Sequence, residues 1–275
     1  MEGNADLRAA TTVIRESSTR FRLDVPASMG QGRGTFGGLV FAAFARAFEE
    51  SEPERERLLR TISAEIPVAV APGPVSIDVE VARRGSAMST LRGVMRQNDE
   101  IVAIATGVLG RARRDASGKP TSRDAELKRP SPAIPDWTAT PPSPMRREQA
   151  PVFTHEFEIR STGPLPFSSS PSAIAEGFVR PRRCSGPLGA PEVVALADVF
   201  WPAAFAIEPG PRPIGTVSFF LQLFGDGTPR PSDAPLFYRA RALGSTDGFV
   251  AEERELWSLE GDLVAYNTQT FVWIK

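Results

Sequence analysis

Hydrophobic and polar residues alternate with period two in the stretch GPVSIDVEVARRG, where Val75, Ile77, Val79 and Val81 stand against Ser76, Asp78, Glu80 and Ala82. Side chains of a strand point in turn to its two faces, so this pattern predicts a strand that covers a core on one side and meets solvent on the other. The same reading predicts strands at Thr19–Val25, Thr61–Pro67, Val75–Arg83, Ala87–Gln97 and Glu100–Leu109, with turns at PGP (72–74) and QNDE (97–100). Between the first two strands the pattern changes. Glycines 32, 34, 37 and 38 precede the alanine- and phenylalanine-rich run GLVFAAFARAFE, predicted as a helix from Gly38 to Glu49. Its apolar positions cover more than one side, which implies burial over most of its circumference. A second, polar helix is predicted over Glu52–Arg60.

After residue 110 the rhythm breaks. The segment 111–150 opens with RARR and carries prolines 120, 130, 132, 135, 141, 142 and 144, a density that excludes central strands and predicts an extended connection. The chain then repeats its first half in outline. Strands are predicted at Phe153–Ile159 and Ala173–Val179, a helix at Glu192–Phe205 with Asp198 near its middle, and strands at Ile214–Leu223, Leu236–Gly244, Phe249–Ser258 and Leu263–Trp273. The repeat is weak in residue identity and strong in element order. One helix wrapped by an antiparallel sheet, twice over, predicts an α+β chain: a double hotdog whose two sheets join edge to edge into one continuous sheet. The corresponding division is an N-terminal hotdog over 1–110, a proline-rich linker over 111–150 and a C-terminal hotdog over 151–275.

Composition narrows the chemistry. The formal net charge is -1, which gives no global attraction to nucleic acid or to an anionic membrane. A lone cysteine, Cys184, forms no internal disulfide, and the opening MEGNADLRAATTVIRESS lacks the apolar core of a secretory signal. A cytoplasmic protein without membrane insertion is the expectation. A single histidine, His155, makes a clustered zinc site improbable, and no GxGxxG, GxxxxGK[ST] or GxSxG occurs. Dinucleotide folds, P-loops and serine-elbow hydrolases therefore have no support, and no cofactor or metal is expected.

In order and spacing, GTFGGLVFAAFARAF (34–48), PGPVSIDVEVARRGSAMSTLRGVMRQNDEIVA (72–103), ALADVFWPA (195–203), IGTVSFFLQLF (214–224) and GDLVAYNTQTFVWIK (261–275) resemble the double-hotdog acyl-CoA thioesterases of the bacterial thioesterase II type. The resemblance implies water-mediated hydrolysis of an acyl thioester to free acid and CoA, with acyl-CoA as the substrate partner. It assigns the catalytic roles to Asp198 in ALADVF, Thr216 in IGT and Gln269 in NTQT. A homodimer or larger homo-oligomer is implied by resemblance only. The chain departs from many relatives at RTISAEIPV, where Thr61 and Ser63 stand in place of histidines, and at SFFLQLF, which lacks the polar residues often found after the threonine.

Judged by chemistry alone, each residue has two readings. Asp198 is either a partly desolvated base or a carboxylate that caps a neighbouring loop or faces a wet interface. Thr216 is ordinary in a strand, though its hydroxyl could orient a water. Gln269 suits either a water bridge or structural hydrogen bonding. Gly37 and Gly38 read equally as oxyanion donors at a helix start and as packing glycines. Trp201 and Phe219 are candidate walls of an acyl tunnel, with Phe220 and Phe224, and also ordinary core. Arg180, Arg182 and Arg183 could receive the phosphates of coenzyme A or line a solvated loop. The rival functions are a non-catalytic acyl-CoA-binding or scaffold protein and, less favoured, a hotdog dehydratase or hydratase using His155 as base.

Overall fold

A computed structural model describes residues 5–119, 121, 126–145 and 150–274. The first four residues, parts of the expected linker and Lys275 lie outside the described residues. The first half runs α1 (Leu7–Thr11), β1 (Ile14–Arg15), β2 (Arg20–Val25), β3 (Gly30–Gln31), β4 (Gly34–Thr35), α2 (Gly37–Ser51), β5 (Leu58–Glu65), β6 (Gly73–Arg84), β7 (Met88–Gln97) and β8 (Glu100–Gly110). The second half runs β9 (Phe157–Ser161), β10 (Ile174–Pro181), α3 (Ala190–Leu196), β11 (Ile214–Leu223), β12 (Leu236–Thr246), β13 (Phe249–Trp257) and β14 (Leu263–Trp273).

Apart from the small β3–β4 pair, all strands form one 12-stranded sheet in the order β1-β2-β6-β7-β8-β5-β11-β14-β13-β12-β10-β9. Read inward from its two ends, the order is the same: β1, β2, β6, β7, β8 and β5 are answered by β9, β10, β12, β13, β14 and β11. The expected double hotdog is therefore present, its halves related by a pseudo-twofold axis at the antiparallel seam β5–β11, where Ser63 lies opposite Phe220. Pairing these edges removes two exposed strand templates at once.

Helix α2 packs against β5 to β8 and against α3. Leu39, Val40, Phe41, Phe44 and Phe48 are all buried, each such side chain stabilising the fold by roughly 1.5–3 kcal/mol. Gly93 and Gly107 explain how α2 sits so close to its sheet. A Cβ on Gly93 would lie 2.7 Å from Phe44 Cδ1, and one on Gly107 would lie 2.5 Å from Phe48 Cδ2.

Two predicted helices are corrected. Glu52–Arg60 forms no helix: Glu52 closes α2, Pro53 follows, and β5 begins at Leu58. Helical propensity of the charged run gives way to strand pairing with β8 and to burial of Arg57, which donates to Ser89 Oγ at 2.6 Å and to the Gly85 carbonyl at 2.8 Å. The helix expected to reach Phe205 stops at Leu196, and a separate 3-10 turn spans Ala203–Ala206. Pro202 disfavours helical backbone at the residue before it, which keeps a helix from running through to Phe205, and Asp198 lies just past α3 rather than within it. The strand predicted from Phe153 begins only at Phe157, after a 3-10 turn at Val152–Glu156 that contains His155.

Residues 126–145 are an extended strap on the second half. Ile134 and Trp137 pack on Phe178, Phe237 and Trp257, on the side of the sheet away from the helices, and Ser143 N–H bonds Ile159 on the edge strand β9. No helix among the described residues is long and apolar enough to cross a membrane.

Candidate functional site

Phe36, at the N-cap position of α2, has no side chain able to accept from the first-turn N–H groups, and no cap bond forms there. From the other half of the chain the Asp198 carboxylate stands against this helix end, where the Gly38 N–H favours its charged form. An aspartate in this role normally precedes its own helix; here it reaches the positive end of a helix distant in sequence. The approach is tight. A Cβ on Gly37 would lie 2.8 Å from Asp198 Oδ2, and one on Gly38 would lie 2.7 Å from the Ala195 carbonyl. Gly37 and Gly38 are thus the residues that let helix and carboxylate meet.

The sheet supplies the other side of the site. Phe219, Gln269 and Glu252 are register neighbours across β11, β14 and β13, as are Leu221, Asn267 and Arg254. Antiparallel partners share a face, so a polar patch faces the helices from within an apolar sheet. Arg254 donates from Nη1 to Asp198 Oδ1 at 2.7 Å and to the Ala197 carbonyl at 3.3 Å, and from Nε to Glu252 Oε1 at 2.8 Å. Glu252 Oε2 in turn accepts the Ala203 N–H at 2.6 Å. Gln269 donates from Nε2 to Thr216 Oγ1 at 3.3 Å.

Thr216 reaches this patch through a bulge. Strict alternation from Phe219 and Leu221 would turn Val217 inward, but the register shifts between Thr216 and Ser218, leaving Val217 exposed and Thr216 opposite the buried Phe271. The structure therefore brings Asp198, Thr216 and Gln269 together. Because Thr216 accepts from Gln269, its own hydroxyl hydrogen is left to donate elsewhere. Gln269 Oε1 and Asn267 Oδ1 are buried acceptors without a protein donor, and Trp201 Nε1 and Tyr238 Oη are buried donors without an acceptor. Polar atoms so placed suit a water or a ligand.

Burial pushes the Asp198 carboxyl above its ordinary value, while Arg254, Gln269 and the Gly38 N–H pull it back. Glu252 is likewise raised by burial against the pull of Arg254, and burial drives the Tyr238 phenol well above its usual range.

The pseudo-twofold axis shows which half has this chemistry. About the Ser63–Phe220 pair, rotation exchanges Gln269 with Gly107, Glu252 with Leu91, Asn267 with Ala105 and Arg254 with Gly93. These four inward-facing polar positions of the second half are apolar or glycine in the first, and the rings of Phe44 and Phe48 fill the space above those glycines.

The remaining sequence candidates lie elsewhere or have other partners. Phe219 is fully buried and stacks on Phe41 with ring centroids 4.1 Å apart, so it joins helix to sheet. Trp201 is half-buried beside Phe200, whereas Phe220 and Phe224 are exposed. Arg180 is held by Glu158 at 2.7 Å, and with Arg182 and Arg183 it lines a cleft that shares no residue with the Asp198 centre.

The residues missed from sequence are Glu252 and Arg254. Their signal was present in FVAEERELW: Val250, Glu252, Arg254 and Leu256 share one parity, so two charges stand on the apolar face of a strand.

A family model described as the acyl-CoA thioesterase N-terminal domain matches residues 25–110, and one described as the acyl-CoA thioesterase C-terminal domain matches residues 130–273. Among solved structures, a hot dog fold protein of unknown function from Alicyclobacillus acidocaldarius is similar at 24% identity, over 98% of each chain, with a TM-score of 0.84. An acyl-CoA thioesterase II from Mycobacterium marinum is similar at 15% identity, over 98% of each chain, with a TM-score of 0.74. A TesB protein from Mycobacterium avium subspecies paratuberculosis is similar at 18% identity, over 98% of each chain, with a TM-score of 0.73. No curated protein sequence matches the chain.

Proposed function

The chain belongs to the acyl-CoA thioesterase family, and on that premise we propose that it hydrolyses an acyl-CoA thioester to the free acid and CoA at the Asp198 centre. The observation that carries this reading is the convergence of Asp198, Thr216 and Gln269 in the half whose counterpart is filled by phenylalanine rings.

The water is oriented by three groups. It donates to the Asp198 carboxylate and to the unfilled Gln269 Oε1, and accepts from the Thr216 hydroxyl. As its oxygen bonds to the thioester carbon, its proton passes to Asp198, and the carbonyl oxygen becomes an oxyanion. In the first turn of α2 the Gly38 N–H already serves Asp198, which leaves that of Gly37 to meet the oxyanion. Collapse of the tetrahedral adduct breaks the carbon–sulfur bond, and the departing thiolate takes the proton back from Asp198. Burial raises the proton affinity of Asp198, which makes it a better base than an exposed aspartate, and Arg254 opposes that rise by favouring the carboxylate.

In this reading Arg182 and Arg183, with Arg180 in the same cleft, receive phosphate groups of CoA. Trp201 borders the acyl chain. His155 lies in the Val152–Glu156 turn, outside the donor and acceptor set of Asp198, which disfavours a dehydratase built on a histidine base.

Release of free thiol from saturated, unsaturated and aromatic acyl-CoA donors tests the proposal. Asp198→Asn lowers the rate by about 100- to 10,000-fold, the range of general-base catalysis, with the fold retained by circular dichroism. Full activity in that variant removes the assignment; thioester binding without thiol release in the wild type favours the acyl-binding alternative.

A further inference from the structure

Arg254 and Glu252 do more than fill the floor of the site. The segment that carries Asp198 has no regular structure of its own: α3 ends at Leu196 and the next turn starts at Ala203. Both ends of this gap are held by one two-residue device on β13. Arg254 bonds the Ala197 carbonyl and the Asp198 carboxylate, and Glu252 bonds the Ala203 N–H. Arg254 Nε closes the device onto Glu252 Oε1. Both side chains are almost wholly buried, at 2% and 0% exposure, on a strand pinned on both sides by β12 and β14. A buried ion pair gains little stability against an apolar replacement, so its presence on the inner face calls for another role.

We infer that Glu252 and Arg254 are positioning residues that clamp residues 197–203 and set the ionisation of Asp198 through opposed charges, Arg254 favouring the carboxylate and Glu252 opposing it. The inference rests on the hydrolytic reading for its catalytic consequence but not for its electrostatic one. The groups facing Asp198 are few: Arg254 and Glu252 on β13, Tyr238 on β12, Gln269 on β14 and the Gly38 N–H on α2. Tyr238 is neutral, held against Phe200 with ring centroids 4.4 Å apart. Arg254 and Glu252, joined to each other and to the 197–203 segment by hydrogen bonds, are therefore the opposed pair at Asp198, and each can be altered by substitution.

The test reads Asp198 directly. In protein labelled with 13C at aspartate carboxyls, the resonance missing from Asp198→Asn identifies the group, and its titration is followed in Glu252→Gln and in the double variant Glu252→Gln/Arg254→Gln. Glu252→Gln shifts the midpoint downward, and the double variant shifts it upward, by about one pH unit, the lower end of what an opposite charge at contact produces. The acidic limb of the kcat/KM profile for thiol release moves with it in each case. Titration midpoints that coincide with wild type in both variants overturn the inference, since a purely structural pair would change the unfolding temperature without moving them. If the double variant does not fold, Glu252→Gln alone decides by the sign of its shift. A wild type that releases no thiol but whose Asp198 titration responds as described removes the hydrolytic reading and leaves this one standing.

Discussion

Asp198 carries a thermodynamic cost that its site makes visible. Its folded pKa lies above the ordinary 3.8, because burial outweighs the donors around it. The native state thus holds the proton more tightly than the unfolded chain, and the group favours folding only while protonated. That contribution is present below about 3.8 and is lost as pH rises through the folded value. Wild type therefore loses stability relative to Asp198→Asn as pH is raised across this window, and thermal unfolding of both proteins at a series of pH values checks the trend. A constant difference would mean that Asp198 titrates as an exposed aspartate does. At this scale the sequence was partly legible. An acid, an alcohol and an amide stood out because each interrupts an apolar run. The bulge that turns Thr216 inward left no mark in the alternation, and Glu252 and Arg254 were hidden inside the charged run EERE, which looks like a solvated strand until parity is followed.

Elements meet in this protein through glycines, and the two kinds of contact predict different failures. Gly107 lies under Phe48, so Gly107→Ala overpacks a core contact and costs about 1–3 kcal/mol of stability while turnover per folded molecule is kept. Gly37 faces Asp198 Oδ2, so Gly37→Ala displaces the carboxylate and its main effect is on turnover. Urea unfolding beside thiol-release rates per folded molecule separates the two, and equal rate losses in both variants would contradict the contrast. Element prediction from pattern succeeded where local and tertiary preferences agree: Ile214–Leu223 and Leu263–Trp273 are strands with the expected bounds. It failed at Glu52–Arg60 and beyond Leu196. In the first place the outcome depends on distant partners, β8 and Ser89, which no local window contains; in the second Pro202 was a local signal against the longer helix, and Arg254 bonds the Ala197 carbonyl where the helix ends.

For the molecule as a whole, the seam β5–β11 makes the halves interdependent. The second half contributes Asp198, Thr216, Gln269 and Arg254, yet the helix end that holds Asp198 and the ring that stacks on Phe219 come from the first. A chain cut within the 111–150 segment should therefore yield two fragments that are each inactive and that recover thiol release when folded together, with co-elution on size exclusion marking the re-formed seam. Activity in the C-terminal fragment alone would show that α2 is dispensable. The overall architecture was legible because duplication repeats element order, a signal that survives when residue identity has faded. Which copy carries the polar cluster required the register, because Gly93 and Gly107 have no pattern of their own and acquire meaning only beneath Phe44 and Phe48.

The carboxylate that completes a helix from the opposite half also constrains how such a protein can be recombined. A chimera joining this C-terminal lobe to a foreign N-terminal lobe inherits a working Asp198 only if the donor brings two side-chain-free residues to the same helical turn, in the same register across the junction. The lobes are thus heritable as a pair, and each is the other's missing part.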